Sequence, residues 1–257
     1  MPALIGMVHV RALPGSPGHA MDVAEIAKIA ADEARVLEKA GFDGVIIENM
    51  HDRPYVARRV GSEVISAMTR VGLAVREAVS VPIGVQILAG ANRAALSVAQ
   101  AIDAQFIRAE GFVFASIADE GLLGRADAAG LLRHRKRIGA DHVAILADVK
   151  KKHSSHAITA DVSLVETVHA AEFFLADGVI VTGAATGVAT EVDELGEAKG
   201  ATRMPVLAGS GATVQNVRQM MNACDGVIVG SALKIDGDWR NSLDAKRCDA
   251  MVAAAKK

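Results

Sequence analysis

Aromatic residues are scarce in this chain: six Phe, one Tyr and one Trp among 257 positions, 3% of the total. Cysteine is scarcer still, with only Cys224 and Cys248. That excludes a disulfide framework and a CxxC metal site, and it points to a reducing compartment. An excess of one charge is also missing, because 28 basic and 30 acidic residues leave a formal charge of −2. Neither a nucleic acid nor an anionic membrane is therefore an expected partner. No uninterrupted apolar run approaches the roughly 18 to 20 residues needed to span a bilayer. The first residues, Met1 to His9, carry no basic stretch. A secretory signal is not expected, and a cytoplasmic location is.

What remains is rich in small and aliphatic residues: 51% of positions are hydrophobic, Gly occurs 24 times, and Ala is abundant. Eight short apolar runs recur: Leu4–Val8, Gly44–Ile47, Ile83–Leu88, Phe106–Ala109, Val143–Ala147, Gly178–Val181, Val206–Ala208 and Gly226–Val229. Helical periodicity separates them over Asp22–Lys39, Glu63–Ala78, Asn92–Ala101, Asp127–Ile138, Asp161–Leu175, Val214–Ala223 and Leu243–Ala255, with a less periodic stretch at Val192–Lys199. In the first helix Ile26, Ile29, Ala30, Ala34 and Leu37 mark one buried stripe. Nearly continuous Val/Ile runs imply strands covered on both faces. Eight such units in about 250 residues predict a single-domain (β/α)8 TIM barrel, with no linker marking a second domain.

Repetition supports that reading. Asp43-Gly-Val-Ile-Ile, Asp177-Gly-Val-Ile-Val and Asp225-Gly-Val-Ile-Val open the second, sixth and eighth strands, and Asp103-Ala-Gln-Phe-Ile is a looser version before the fourth. Val81-Pro82 and Met204-Pro205 introduce the third and seventh.

In such a barrel, ligands gather where strands end and βα loops begin. The seventh strand ends in Gly209-Ser210-Gly211 and the eighth in Gly230-Ser231. Glycine lets the backbone approach an anion closely, so that N–H groups and serine hydroxyls can meet phosphate oxygens. Gly183, after the sixth strand and followed by Gly187, could line the same pocket. The bland alternative is that these glycines only make tight turns.

Side-chain alternation puts Asp148 and Lys150 on the face shared by Ala144 and Leu146, which is expected to point into the barrel. The same parity groups Gln86 with Gly84, and Arg108 with Glu110. Glu48 and Asn49 close the second strand and His9 the first. These groups offer proton donors and acceptors, with Arg108 and Lys150 available to stabilise negative charge. Lys150 could instead form a Schiff base, or the whole set could be a structural ring of ion pairs. A divalent metal on His9, Glu48, Asp148 and His153 lacks any HxH or HExxH spacing, so neither metal nor cofactor is assigned. The loops at Arg11–His19 and Lys152–His156 are lid candidates, and Asp119-Glu120-Gly121 reads as a solvated acidic loop.

Taken together, Gly6-Met-Val-His9 with Leu13-Pro-Gly-Ser-Pro17, Glu48-Asn49, Phe106-Ile-Arg108, Ala147-Asp-Val-Lys150, Thr182-Gly183, Pro205 to Gly211, and Gly230-Ser231 with Leu233-Lys234 resemble the BtpA, or photosystem I biogenesis, family. The chain departs from the commoner pattern at Gln86, Ala89-Gly90-Ala91 and Glu110. The resemblance implies a barrel related to phosphate-binding barrels and a name taken from photosystem I accumulation. The leading expectation is an enzyme acting on a small phosphorylated ligand by proton transfer, isomerisation or bond cleavage. A non-enzymatic assembly factor is the alternative, and a flavin or nicotinamide enzyme comes third. Association into a homo-oligomer through helix faces is compatible with the fold.

Overall fold

A computed structural model describes residues 2–150, 154–182, 192–209 and 211–256. Its centre is a closed barrel of eight parallel strands: β1 (Ala3–His9), β2 (Gly44–Glu48), β3 (Ile83–Gln86), β4 (Phe106–Ala109), β7 (Ala144–Val149), β9 (Gly178–Val181), β10 (Val206–Ala208) and β11 (Gly226–Val229). The barrel closes where Leu4 pairs with Val227 and Ile5 with Ile228. Around it run α1 (Val23–Ala40), α2 (Ser62–Ala78), α3 (Asn92–Ala101), α4 (Ala128–Arg137), α5 (Leu164–Phe173), α6 (Val192–Ala201), α7 (Val217–Ala223) and α8 (Ala245–Ala255). The chain is thus a single-domain TIM barrel, as its periodicity predicts.

Alternation along each strand builds two cores. Outward residues such as Leu4, Val45, Val85 and Ile107 pack against the helices, with Ile26, Ala30, Ala34 and Leu37 of α1 among their partners. Inward residues Ile5, Met7, Ile46, Phe106, Leu146, Ile180, Leu207 and Ile228 fill the barrel. Glycine makes room for the large members of this set. A Cβ on Gly84 would lie 2.3 Å from the Phe106 ring, and one on Gly178 would lie 2.8 Å from Leu146.

At the amino ends of the strands, one contact occurs four times. The residue just before β2, β4, β9 and β11 accepts the N–H of a residue at the start of the preceding barrel strand. Leu4 N–H donates to Asp43 Oδ2 at 2.8 Å, and Ile83 N–H to Gln105 Oε1 at 2.9 Å. Ile145 N–H donates to Asp177 Oδ2 at 2.8 Å, and Val206 N–H to Asp225 Oδ2 at 2.9 Å. The repeated Asp-Gly is therefore a latch, whose Asp ties two strands together while its Gly enters the crowded interior. In the fourth copy the latch is Gln105 rather than Asp103, whose φ of 53° bends the chain into the strand.

Several boundaries differ from the sequence reading. Helix α5 begins at Leu164, not Asp161, because Ser163 and Glu166 form a reciprocal capping box. The stretch Val214–Asn216 is turn, so α7 starts only at Val217. An unanticipated three-stranded sheet joins β5 (Ser116–Ala118) and β6 (Gly121–Leu123), which follow β4, to β8 (Ser154–Ser155), which follows β7. Asp119 and Glu120 are the turn of its hairpin, with Asp119 exposed to solvent.

Candidate functional site

His9, Glu48, Gln86 and Arg108 each lie two residues beyond an inward position, Met7, Ile46, Gly84 and Phe106, so their side chains rise from the same interior face. Together with Glu110 they line a cavity of about 680 Å³. Gly209, Gly211, Ala212 and Thr213 after β10, and Gly230, Ser231 and Ala232 after β11, line the same cavity. The late glycine turns and the charged strand ends thus share one opening at the carboxyl end of the barrel.

Arg108 sits at the centre of this floor, only 6% exposed. Its Nε donates to Asp148 Oδ1 at 2.9 Å and its Nη2 to Asp148 Oδ2 at 3.2 Å, a two-pronged pair. Burial opposes the guanidinium charge, but Asp148, helped by Glu48 and Glu110, outweighs it and moves the Arg108 pKa upward. The space above Arg108 exists because position 209 is glycine: a Cβ there would lie 2.3 Å from Ile180 Cγ2 and 3.5 Å from Arg108 Nη2.

His9 Nδ1 lies 3.1 Å from the Trp239 carbonyl oxygen. A carbonyl can only accept, so Nδ1 carries the hydrogen, and Nε2 is left to face Glu48 Oε2 at 4.0 Å. Gln86 Nε2 donates to Glu110 Oε1 at 3.1 Å, joining two residues that line the cavity.

Other expected site residues lie elsewhere. Asn49 is buried and does not line the cavity. Its Oδ1 accepts from Leu88 N–H at 2.7 Å and its Nδ2 donates to Asp52 Oδ2 at 2.9 Å. Asp52 in turn accepts from Leu13 N–H at 2.7 Å, so Asn49 clamps the first loop to the third. Lys150 follows the end of β7 with φ of 49°, and its Nζ donates to the carbonyls of Thr159 and Val162. It is therefore turned away from the main cavity. With Asp148 and His156 it lines a separate void of only about 30 Å³. His153, Gly183, Gly187 and Ser210 lie outside the described residues.

The cavity also has members that the motifs did not single out: Met50, Arg53, Tyr55, Asp119, Glu120, Trp239 and Arg247. Rarity was the available signal for two of them, since Trp239 and Tyr55 are the chain's only Trp and Tyr. Arg53 stands 4.7 Å over the Trp239 ring, and the His51 ring is 5.1 Å away. Among the described residues, no group of three or more His, Cys, Asp or Glu could hold a metal ion. No helix there is long and apolar enough to cross a membrane.

A sequence profile described as the BtpA family matches residues 1–257. The chain belongs to the BtpA family. Its relatives include the Photosystem I biogenesis protein BtpA of Synechocystis, 36% identical over 252 residues, covering 98% of this chain and 87% of that protein. An uncharacterised mitochondrial protein of Caenorhabditis elegans is 46% identical over 251 residues, 96% of this chain and 90% of that one. Among solved structures, this BtpA-family barrel superposes on thiamine phosphate pyrophosphorylase from Pyrococcus furiosus with a TM-score of 0.60 and 14% identity, covering 99% of this chain and 95% of that one. At that identity the likeness is one of fold, a barrel shared with enzymes of phosphorylated substrates.

Proposed function

We propose that this BtpA-family barrel is an enzyme acting on a small phosphorylated metabolite, a sugar phosphate or nucleotide-derived compound, by proton transfer, isomerisation or cleavage of a carbon–carbon or glycosidic bond. The observation that carries the reading is the single cavity bounded on one side by the glycine turns of β10 and β11 and on another by His9, Glu48, Arg108 and Glu110. These turns bring the N–H groups of Gly211, Ala212, Ser231 and Ala232 to the cavity lining. They are suited to phosphate oxygens, with Ser231 Oγ as a further donor and Arg247 as a cation at the rim.

In this reading His9 Nε2 and Glu48 exchange a proton with the substrate, while the backbone carbonyl of Trp239 keeps the imidazole in one tautomer. Arg108, held cationic by Asp148, stabilises negative charge that develops on the substrate. Titration calorimetry with inorganic phosphate and ribose 5-phosphate tests the cradle. Ser231→Asp places a carboxylate where the phosphate sits and should weaken both ligands by roughly tenfold or more. Equal affinity in the wild type and the variant would remove the cradle.

A second reading, a non-enzymatic assembly factor, is favoured by the name of the Synechocystis relative and by one surface feature. At the end of α5, Phe173 and Leu175 are 81% and 66% exposed. Under this reading, replacing both with Ser abolishes complex accumulation in cells, whereas Ser231→Asp leaves it intact.

A further inference from the structure

A cavity of about 680 Å³ is larger than a pentose phosphate needs and falls within the range that holds drug-sized ligands. Part of the extra lining is flat and apolar. In a chain with 3% aromatic residues, the sole Trp and the sole Tyr both line this one cavity, together with Met50 and Leu88. Both rings are held in place: Trp239 by Arg53 at 4.7 Å and His51 at 5.1 Å, and Tyr55 by a hydrogen bond of 2.8 Å from its hydroxyl to the Met50 carbonyl. Tyr55 has thus spent its polar tip on the protein and presents carbon to the cavity.

A second, independent observation lies on the floor. Gln86 is 2% exposed, and its Nε2 is committed to Glu110. That bond fixes the amide orientation and leaves Oε1 buried with no partner. A buried acceptor in a ligand cavity calls for a donor from the ligand.

We infer that the ligand is a phosphate ester carrying a flat heteroaromatic ring, of the nucleoside 5′-monophosphate class. Its phosphate sits on the β10 and β11 turns, its ring lies against the Trp239–Tyr55 wall, and one of its N–H or O–H groups donates to Gln86 Oε1. The inference rests on the phosphate reading above and adds the ring to it.

The experiment is titration calorimetry of the full chain with three sets of probes: ribose 5-phosphate, the common nucleoside 5′-monophosphates, and the corresponding unphosphorylated nucleosides. Because Trp239 is the only Trp, its fluorescence gives a second signal in the wild type. At least one monophosphate should bind roughly tenfold or more tighter than ribose 5-phosphate. Trp239→Leu should erase that excess while leaving ribose 5-phosphate binding unchanged, and the Trp239 carbonyl that holds His9 survives this substitution. Should Trp239→Leu not fold, the wild-type comparison still decides, and Gln86→Met supplies a second variant, expected to lose monophosphate affinity several-fold. Equal binding of monophosphates and ribose 5-phosphate overturns the ring while sparing the phosphate cradle. Nucleosides binding as tightly as their monophosphates overturns the cradle while sparing the ring wall. Binding of none of the probes overturns both.

Discussion

The two ends of this barrel are built on opposite plans. At the amino ends, Asp43, Gln105, Asp177 and Asp225 make one contact four times, each accepting a strand N–H near the surface. At the carboxyl ends no contact repeats: the strand ends carry His9, Glu48, Gln86, Arg108 with Glu110 beyond it, and Asp148, and glycine turns follow β10 and β11. The repeated end uses small, redundant hydrogen bonds between partners that cost little to bring together. The irregular end gathers charges into a place where water is scarce, which is the less stable way to fill that volume. A protein that needed only a stable barrel had a cheaper solution available, and it uses that solution at its other end. The carboxyl end is thus where sequence has been held to something besides stability.

The largest difference should come from the Arg108–Asp148 pair. Asp148→Ala leaves a guanidinium that is 6% exposed without its two-pronged partner, at a cost of about 3–5 kcal/mol in urea unfolding. The joint replacement of Arg108 by Met and Asp148 by Leu should come out near neutral or stabilising while abolishing phosphate-ester binding. If instead Asp148→Ala costs no more than the loss of one amino-end latch, the two ends do not differ in kind.

A second difference is one of pH. His51, beside the cavity wall, has its pKa lowered from 6.5 to about 4, by burial first and then by Arg11, Lys234 and Arg53. Its neutral form is therefore the folded form. The associated stability is complete above the unfolded value of 6.5 and is lost as the pH falls from 6.5 toward 4, as the unfolded chain takes up a proton that the native state refuses. Because the ring is only partly buried, solvent screening makes the total smaller than the full shift would imply. At the other end, burial pushes the Asp225 carboxyl up, but Lys199 and the Val206 N–H outweigh it and hold it below 3.8. Its contribution is present above 3.8 and disappears only as the pH falls below that value. In His51→Gln, the stability loss between pH 6.5 and 4 should shrink measurably. An unchanged pH profile would show that His51 is not the group that titrates there.

How far each end was legible from sequence follows from the same contrast. Strand parity carried His9, Glu48, Gln86, Arg108 and Asp148 to the interior face because each lies within a strand or at its last residue, where alternation still holds. It misdirected Lys150, one residue past β7, because a positive φ there redirects the side chain toward the segment before α5. Asn49 was grouped with Glu48 by adjacency, although neighbours along a strand point to opposite faces. The Asp-Gly repeats were visible as a pattern, but their role was not, since a latch needs the neighbouring strand to be in place before it exists. Trp239 and Tyr55 sit in loops, where no periodicity marks a residue as facing the cavity and only their rarity could have done so.

The smallest expected effects belong to the latches themselves. Asp43→Ala, Asp177→Ala and Asp225→Ala each remove one hydrogen bond to a strand N–H, and the latter two also remove surface ion pairs with Arg135 and Lys199, but at an exposed strand start water can replace much of either. Each should lower stability by about 1 kcal/mol in urea unfolding. The latches tie different strand pairs, β1 to β2, β7 to β9 and β10 to β11, so their losses should add within a few tenths of a kcal/mol when the three substitutions are combined. Phosphate-ester affinity should not change in the triple variant, because none of the three residues reaches the cavity. A strongly more-than-additive loss would mean that the latches act together in closing the barrel. A change in ligand affinity would mean that strain at one end travels to the other, and the separation of stability from ligand chemistry would have to be given up.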